Sequence, residues 1–293
     1  MLTVLLFFFL GELIIKLIDA PFKEKIVNST SVEESLRIRR RLKVVRRIVS
    51  FFLIVLMLFA IVLIGIRLGN EDLGQDLGLV IAYAILVGWR ELRGNVQDYS
   101  LSSYLSRYSK FALYLRAFEA DYYTKNPREH SFESALCKLL KKKRVKVCAI
   151  GMTKEVDAPL GATRIYLADE SWQQGVRELI ERAGLVFVLV SDRDSCVWEI
   201  MQSTEYLPKF CFFVDDFEKY SHVIEKVGDR IPFPTQEEIL KAVPTMALNQ
   251  KKPDSAMSAI LFDEGKTPTI LEVDNRAVFL KKILSSERFI GKL

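Results

Sequence analysis

The chain has 293 residues and a formal charge of +5, and half of its residues are hydrophobic. Its mean hydropathy of +0.15 is high for a purely soluble protein, and the apolar excess sits in the first ninety residues. Four Cys without a C-x-x-C pair and two distant His, His130 and His222, exclude zinc spacing and leave little room for His-based metal or triad chemistry.

The N-terminal run Leu2–Ile18 is apolar apart from Glu12 and Lys16, which stand at i,i+4 spacing. It lacks a basic leader and a small-residue cleavage site, so it does not read as a cleaved signal peptide. It reads as a first span with its N-terminus outside, or as an interfacial helix. The basic stretch Arg37–Arg47 follows and abuts Ile48–Ile66, which carries no charge. That run has the roughly 20 apolar residues that a spanning helix needs. A shorter run, Leu77–Trp89, spans if Leu73–Asp76 enters the headgroup region.

The two runs are expected to form a hairpin over 48–66 and 73–89. The basic flanks on both sides place the rest of the chain in the cytoplasm. Arg37–Arg47 beside an apolar run suits an anionic membrane surface. Without interleaved aromatics it does not suit nucleic acid.

Residues 96–110 read as a connector. Beyond them the pattern becomes an alternation of strand and helix: strand 111–118, helix 131–142, strand 145–151, a long loop, helix 172–184, strand 185–190, helix 197–207 and strand 210–216. The run "LVFVLV" is continuous and apolar, as a strand buried on both faces is. Helices near 217–227, 236–242 and 275–284 and a hairpin around "LFDEGKTPTILEV" complete the pattern. Each Cys lies in or beside an apolar segment, as buried free thiols in a reducing compartment do.

The expected fold class is therefore α/β. N-terminal transmembrane helices occupy residues 1–95, in two or three spans. A cytoplasmic domain over 111–293 follows, with a core at 114–216 and an extension at 217–293. Its architecture is a flavodoxin-like parallel sheet with helices on both faces.

Ligands of such sheets bind outside the carboxyl ends of the strands. The residues there are Arg116, Phe118, Glu119 and Asp121 after the first strand, Gly161 and Arg164 in the loop after the second, and Ser191, Asp192 and the turn to Glu199 after the third. No Gly-rich phosphate cradle, G-x-S-x-G elbow or H-E-x-x-H is present.

The order "YLRAFEAD … FESALCKLLKKKRVKVCAIG … LGATRIYLADESWQQGVRELIERAGLVFVLVSDRDSCVWEI … FCFFVDD" resembles a TIR domain across roughly 114–216. Ala117–Phe118 stand at the usual Ser-Phe box and Asp121 supplies its acid. Gly161 lies in the following loop, Ser191 ends the third strand, and Cys196-Val197-Trp198-Glu199 fits C-x-x-E. Trp198 precedes the Glu rather than the Cys, Arg116 precedes the Phe, and "GATRIY" is atypical of the family.

The resemblance implies cleavage of the nicotinamide–ribose bond of NAD, with NAD as substrate, no cofactor and no metal. Glu199 is then the catalytic carboxylate. One carboxylate suffices because the leaving group is a pyridinium that departs neutral, so no general acid is required. Phe118 or Trp198 would stack on a ring, and Arg116 and Arg164 would face the pyrophosphate.

Other readings stand beside these. Glu199 is explained equally by the dipole of a helix's first turn, Trp198 by core packing, and Arg116 with Asp121 by a loop ion pair. The alternatives to a hydrolase are a non-enzymatic self-association module and a nucleotide sensor, each anchored in the cell membrane.

Overall fold

The computed structural model describes residues 2–68, 98–116, 132–151, 161–243 and 257–273. The chain divides into two compact units, residues 1–97 with 153–158, and residues 98–152 with 159–293.

The first unit contains α1 (Leu2–Val27) and α2 (Val32–Leu68). The turn between them is closed by side chains. Ser31 Oγ accepts from Glu34 N–H, and the Glu34 carboxylate reaches back to Thr30 N–H and Oγ1–H, both at 3.0 Å. Farther along, Arg46 donates to both carboxylate oxygens of Asp19 at 2.7 and 2.6 Å, which fixes the two helices in antiparallel register. Ile26, Leu36 and Leu42 are buried.

Among the described residues no helix is long and apolar enough to cross a membrane. Within Ile48–Ile66, the side chains of residues 54, 57, 58 and 60–66 lie outside the description, as does the whole of 73–89.

The second unit is an eight-stranded mixed sheet in the order β1-β4-β3-β2-β5-β6-β7-β8. Its strands are β1 (Asp98–Ser100), β2 (Phe111–Leu115), β3 (Lys146–Gly151), β4 (Thr163–Tyr166), β5 (Leu185–Leu189), β6 (Phe210–Val214), β7 (Met257–Phe262) and β8 (Pro268–Val273). The first six are parallel, while β7 and β8 form an antiparallel hairpin beside β6.

The helices are α3 (Leu101–Arg107), α4 (Phe132–Lys142), α5 (Trp172–Arg182), α6 (Asp194–Met201), α7 (Phe217–Val227) and α8 (Gln236–Ala242). Residues 98–107, expected as connector, thus form a strand and a helix. "TRIY", expected within a loop, is a strand. The sheet is parallel only through its first six strands.

Winding direction decides which face each helix covers. The β2→β3 crossover moves one way along the sheet, and β1→β2, β4→β5 and β5→β6 move the other. Right-handed crossovers of opposite direction lie on opposite faces. Accordingly, α4 packs Leu136 and Leu140 on Ala112, Ala149, Phe187 and Phe213. On the other face, α3, α5, α6, α7 and α8 pack Tyr104, Val176, Leu179, Cys196, Ile200, Val223 and Ile239 on Leu113, Val186, Val188 and Phe212.

The central strands are β-branched and aromatic runs buried on both faces. Cys148, Cys196 and Cys211 are buried and Cys137 half-buried, all of them free thiols.

Candidate functional site

The direction of winding reverses at β2, between its partners β3 and β5. A doubly wound sheet binds ligands outside the strand carboxyl ends at that reversal. Arg116 leaves β2 there, and Val190 and Ser191 leave β5. The sequence-predicted residues separate into two groups on opposite faces of the sheet.

On the α4 face, Arg116, Gly161 and Arg164 come together around Glu133, a residue sequence reasoning did not select. Glu133 sits in the first turn of α4 and is buried. Its Oε2 lies 3.3 Å from Arg116 Nε and accepts from Arg164 Nη2 at 3.0 Å. Its Oε1 accepts from the Ala162 N–H at 2.8 Å and lies 3.0 Å from Arg164 Nη1.

Arg164 is not a loop residue facing solvent. It is a β4 residue, 0 % exposed, directed into the core by the alternation of the strand. Small neighbours on the same face, Ala112, Ala149 and Ala162, leave room for it. Tyr114 lies beneath Arg116, whose guanidinium carbon is 5.9 Å from the ring centroid. Burial, the leading cause, holds the Tyr114 hydroxyl well above its ordinary range.

Gly161 is required by this arrangement. Its φ is +148°, and an added Cβ would lie 3.1 Å from Glu133 Oε1 and 3.2 Å from Glu133 Cγ. Gly161→Ala is therefore expected to lower stability by more than about 1 kcal/mol, through backbone strain and displacement of the carboxylate. A shift in urea midpoint checks this.

On the other face, Ser191, Cys196 and Glu199 are grouped where β5 runs into α6. Helix α6 begins at Asp194, three residues earlier than the sequence suggested. Asp194 is the first-turn acid, bound by Lys226 Nζ at 2.9 Å, and that hydrogen bond, foremost, lowers its pKa. Glu199 falls in the second turn, about 7 Å along the helix from Asp194. The dipole of a helix end acts only within the first turn, so it does not account for Glu199.

Glu199 is 7 % exposed. Burial alone pushes its carboxyl up to about 8, and no hydrogen bond or charged group among the described residues acts on it. At neutral pH it is mostly protonated. Cys196, one turn back, hydrogen-bonds the Leu189 carbonyl at 3.6 Å. Burial first, and then the Glu199 charge, push its thiol up to about 12, so it is not a nucleophile.

Trp198 is engaged in packing against α5. Its ring packs edge-on against Trp172 of α5 at 4.8 Å, under the Arg177 guanidinium at 5.4 Å. It ties α5 to α6. Phe118 and Asp121 lie outside the described residues, so the expected Arg116–Asp121 pair does too; the partner of Arg116 seen here is Glu133. Among the described residues no group of His, Cys, Asp and Glu could hold a metal ion.

The geometry thus offers two distinct devices on opposite faces of the sheet. One is a carboxylate saturated by two guanidiniums and an N–H. The other is a carboxyl with no counter-charge among the described residues. Comparison with family models, curated proteins and solved structures found no match.

Proposed function

We propose that the protein is a membrane-anchored, TIR-like NAD glycohydrolase whose working carboxyl is Glu199. The observation that carries this reading is the burial of Glu199 without a described charge or hydrogen bond, in the helix that follows β5 of a doubly wound sheet. An uncompensated buried carboxyl costs stability and does nothing for the fold, and groups of this kind cluster at functional sites.

The chemistry suits a cationic substrate. In the free protein Glu199 holds its proton. The positive nicotinamide ring of NAD, placed beside it, favours the carboxylate, and the proton passes to water. The C1′–N bond then breaks with its electron pair going to the ring nitrogen, and nicotinamide leaves neutral. The ionised Glu199 stabilises the positive charge that develops on the ribose. Water attacks C1′ and loses a proton, giving ADP-ribose. The Glu133 cluster lies on the opposite face of the sheet, where it holds Arg116, Gly161 and the start of β4 together.

Membrane anchoring is supported by the apolar runs and by the surface of the first unit. Ile48, Phe51, Phe52, Val55, Leu56 and Phe59 form one continuous helical face and all are exposed, Phe51 and Phe52 by 63 % and 64 %. Exposed patches of this size mark sites of interaction with a membrane or a partner.

Incubating the full-length protein in lipid vesicles with NAD tests the enzymatic reading. Wild type is expected to release nicotinamide and Glu199→Gln to lose that release. Equal background rates for both would refute it. The self-association reading is favoured by a specific observation, since Arg116, Arg164 and Trp198 all make structural contacts. It predicts assembly that is indifferent to Glu199→Gln.

A further inference from the structure

The Asp19–Arg46 pair fixes which parts of α1 and α2 lie side by side. Moving from it toward the α1 N-terminus, the chain is Leu2–Ile18. Moving toward the α2 C-terminus, it is Arg47 and then Ile48–Ile66. Both segments are helical. At about 1.5 Å per residue, each extends roughly 25 Å or more beyond the pair, close to the thickness of a bilayer's hydrocarbon core.

Charge is distributed to match. On the far side of the pair lie Arg37, Arg40, Arg41 and Lys43 of α2 and Lys23 and Lys25 of α1. Lys25, Arg37 and Arg41, with Glu24 and Glu34, border a cavity of about 610 Å³ between the helices. On the near side the large exposed hydrophobics are Leu13 and Leu17 on α1 and the Ile48–Phe59 face on α2, and Arg47, next to the pair, is exposed with them. Lys16 is exposed three residues from Asp19, where its stem can lie along apolar surface while its ammonium reaches the headgroups.

We infer that α1 and α2 enter an anionic bilayer as a single antiparallel hairpin, with Leu2–Ile18 crossing alongside Ile48–Ile66, the Asp19–Arg46 pair at headgroup level, and residues 20–45 projecting from the cytoplasmic face. This rests on the membrane anchoring proposed above and extends it to the N-terminal segment. Because α2 starts in the cytoplasm, its antiparallel neighbour ends there, and the N-terminus lies outside. The occupant of the apolar face is lipid. A basic collar directly below an apolar belt complements anionic headgroups above and acyl chains beyond. The pair itself is bidentate and part-buried, the geometry in which an Arg–carboxylate contact specifies register.

The test uses the full chain in right-side-out membrane vesicles, with Thr3→Cys or Asn28→Cys and a membrane-impermeant maleimide. The native cysteines all lie beyond residue 136, in the cytoplasmic part of this topology, and give no outside background. Thr3→Cys is expected to label from outside, and Asn28→Cys only after permeabilisation. Asp19→Arg or Arg46→Asp alone is expected to reduce outside labelling of Thr3→Cys, and the double exchange to restore it.

Protein that remains in the membrane fraction with Thr3→Cys labelled only after permeabilisation overturns the two-helix hairpin and leaves the α2 anchor standing. Protein found in the soluble fraction overturns the anchor as well. A soluble, cross-linkable dimer shows a second copy, not lipid, on the apolar face.

Discussion

Replacing Glu133 by Gln is expected to destabilise the protein by about 3–5 kcal/mol, because it leaves two buried guanidiniums without their shared carboxylate. Arg116 and Arg164 both lie within 3.3 Å of Glu133 oxygens, and Arg164 has no exposure through which water could replace the lost partner. The Ala162 N–H loses an acceptor charge at the same time. Urea unfolding of the full-length protein in detergent, followed by the fluorescence of the packed Trp172–Trp198 pair, measures it. A loss below about 1 kcal/mol would mean that the carboxylate is an ordinary exposed partner. The variant is also expected to lose structure first at the β4 edge, since Glu133 ties the entry of β4 to the start of α4.

Glu199→Gln is expected to act in the opposite direction, and with a pH dependence set by the raised pKa of the carboxyl it replaces. The folded-state pKa of Glu199, about 8, lies above its ordinary value of 4.5. The folded protein therefore holds this proton more tightly than the unfolded chain does. The stabilising contribution of the protonated carboxyl is complete below about pH 4.5 and is lost as pH rises through about 8.

Gln keeps the size and neutrality of the protonated form at every pH. Its advantage over wild type should be small near pH 5 and grow to ~4 kcal/mol near pH 9. Paired denaturation curves at the two pH values read this directly. A constant difference between them would place Glu199 in contact with water or with a counter-charge. Together with loss of nicotinamide release, such a gain in stability would identify the carboxyl as one kept at the expense of the fold.

The pattern of sequence that revealed the sheet also shows where such reading stops. The strands β2, β3, β5 and β6 were legible because each is an apolar run buried on both faces, "LVFVL" most plainly. The strands β1 and β4 were not. "DYS" and "TRIY" are short, and β4 carries an arginine where a core strand is expected to be apolar. Strand alternation points Arg164 inward, and the carboxylate that meets it there, Glu133, lies 31 positions away in sequence.

Glu133 itself gave one local signal, an acid in a helix's first turn, which is ordinary at any helix start. The C-x-x-E spacing did lead to Glu199, but its surroundings were set by tertiary packing. The start of α6 at Asp194 moved Glu199 into the second turn and into the core. The residues expected to converge with it, Arg116 and Arg164, are turned to the opposite face by the alternation of the strands. Handedness and strand alternation together contained that separation, although the linear motif did not.

The central claim is that Glu199 is a buried carboxyl kept neutral until a cation is placed beside it. Carbon-13 carboxyl NMR of the glutamate-labelled protein, with Glu199→Gln to assign the resonance, tests it most directly. The Glu199 signal is expected to titrate with a midpoint of about 8 in the free protein, and lower when NAD is bound. A midpoint near the ordinary 4.5, unchanged by NAD, would contradict the account.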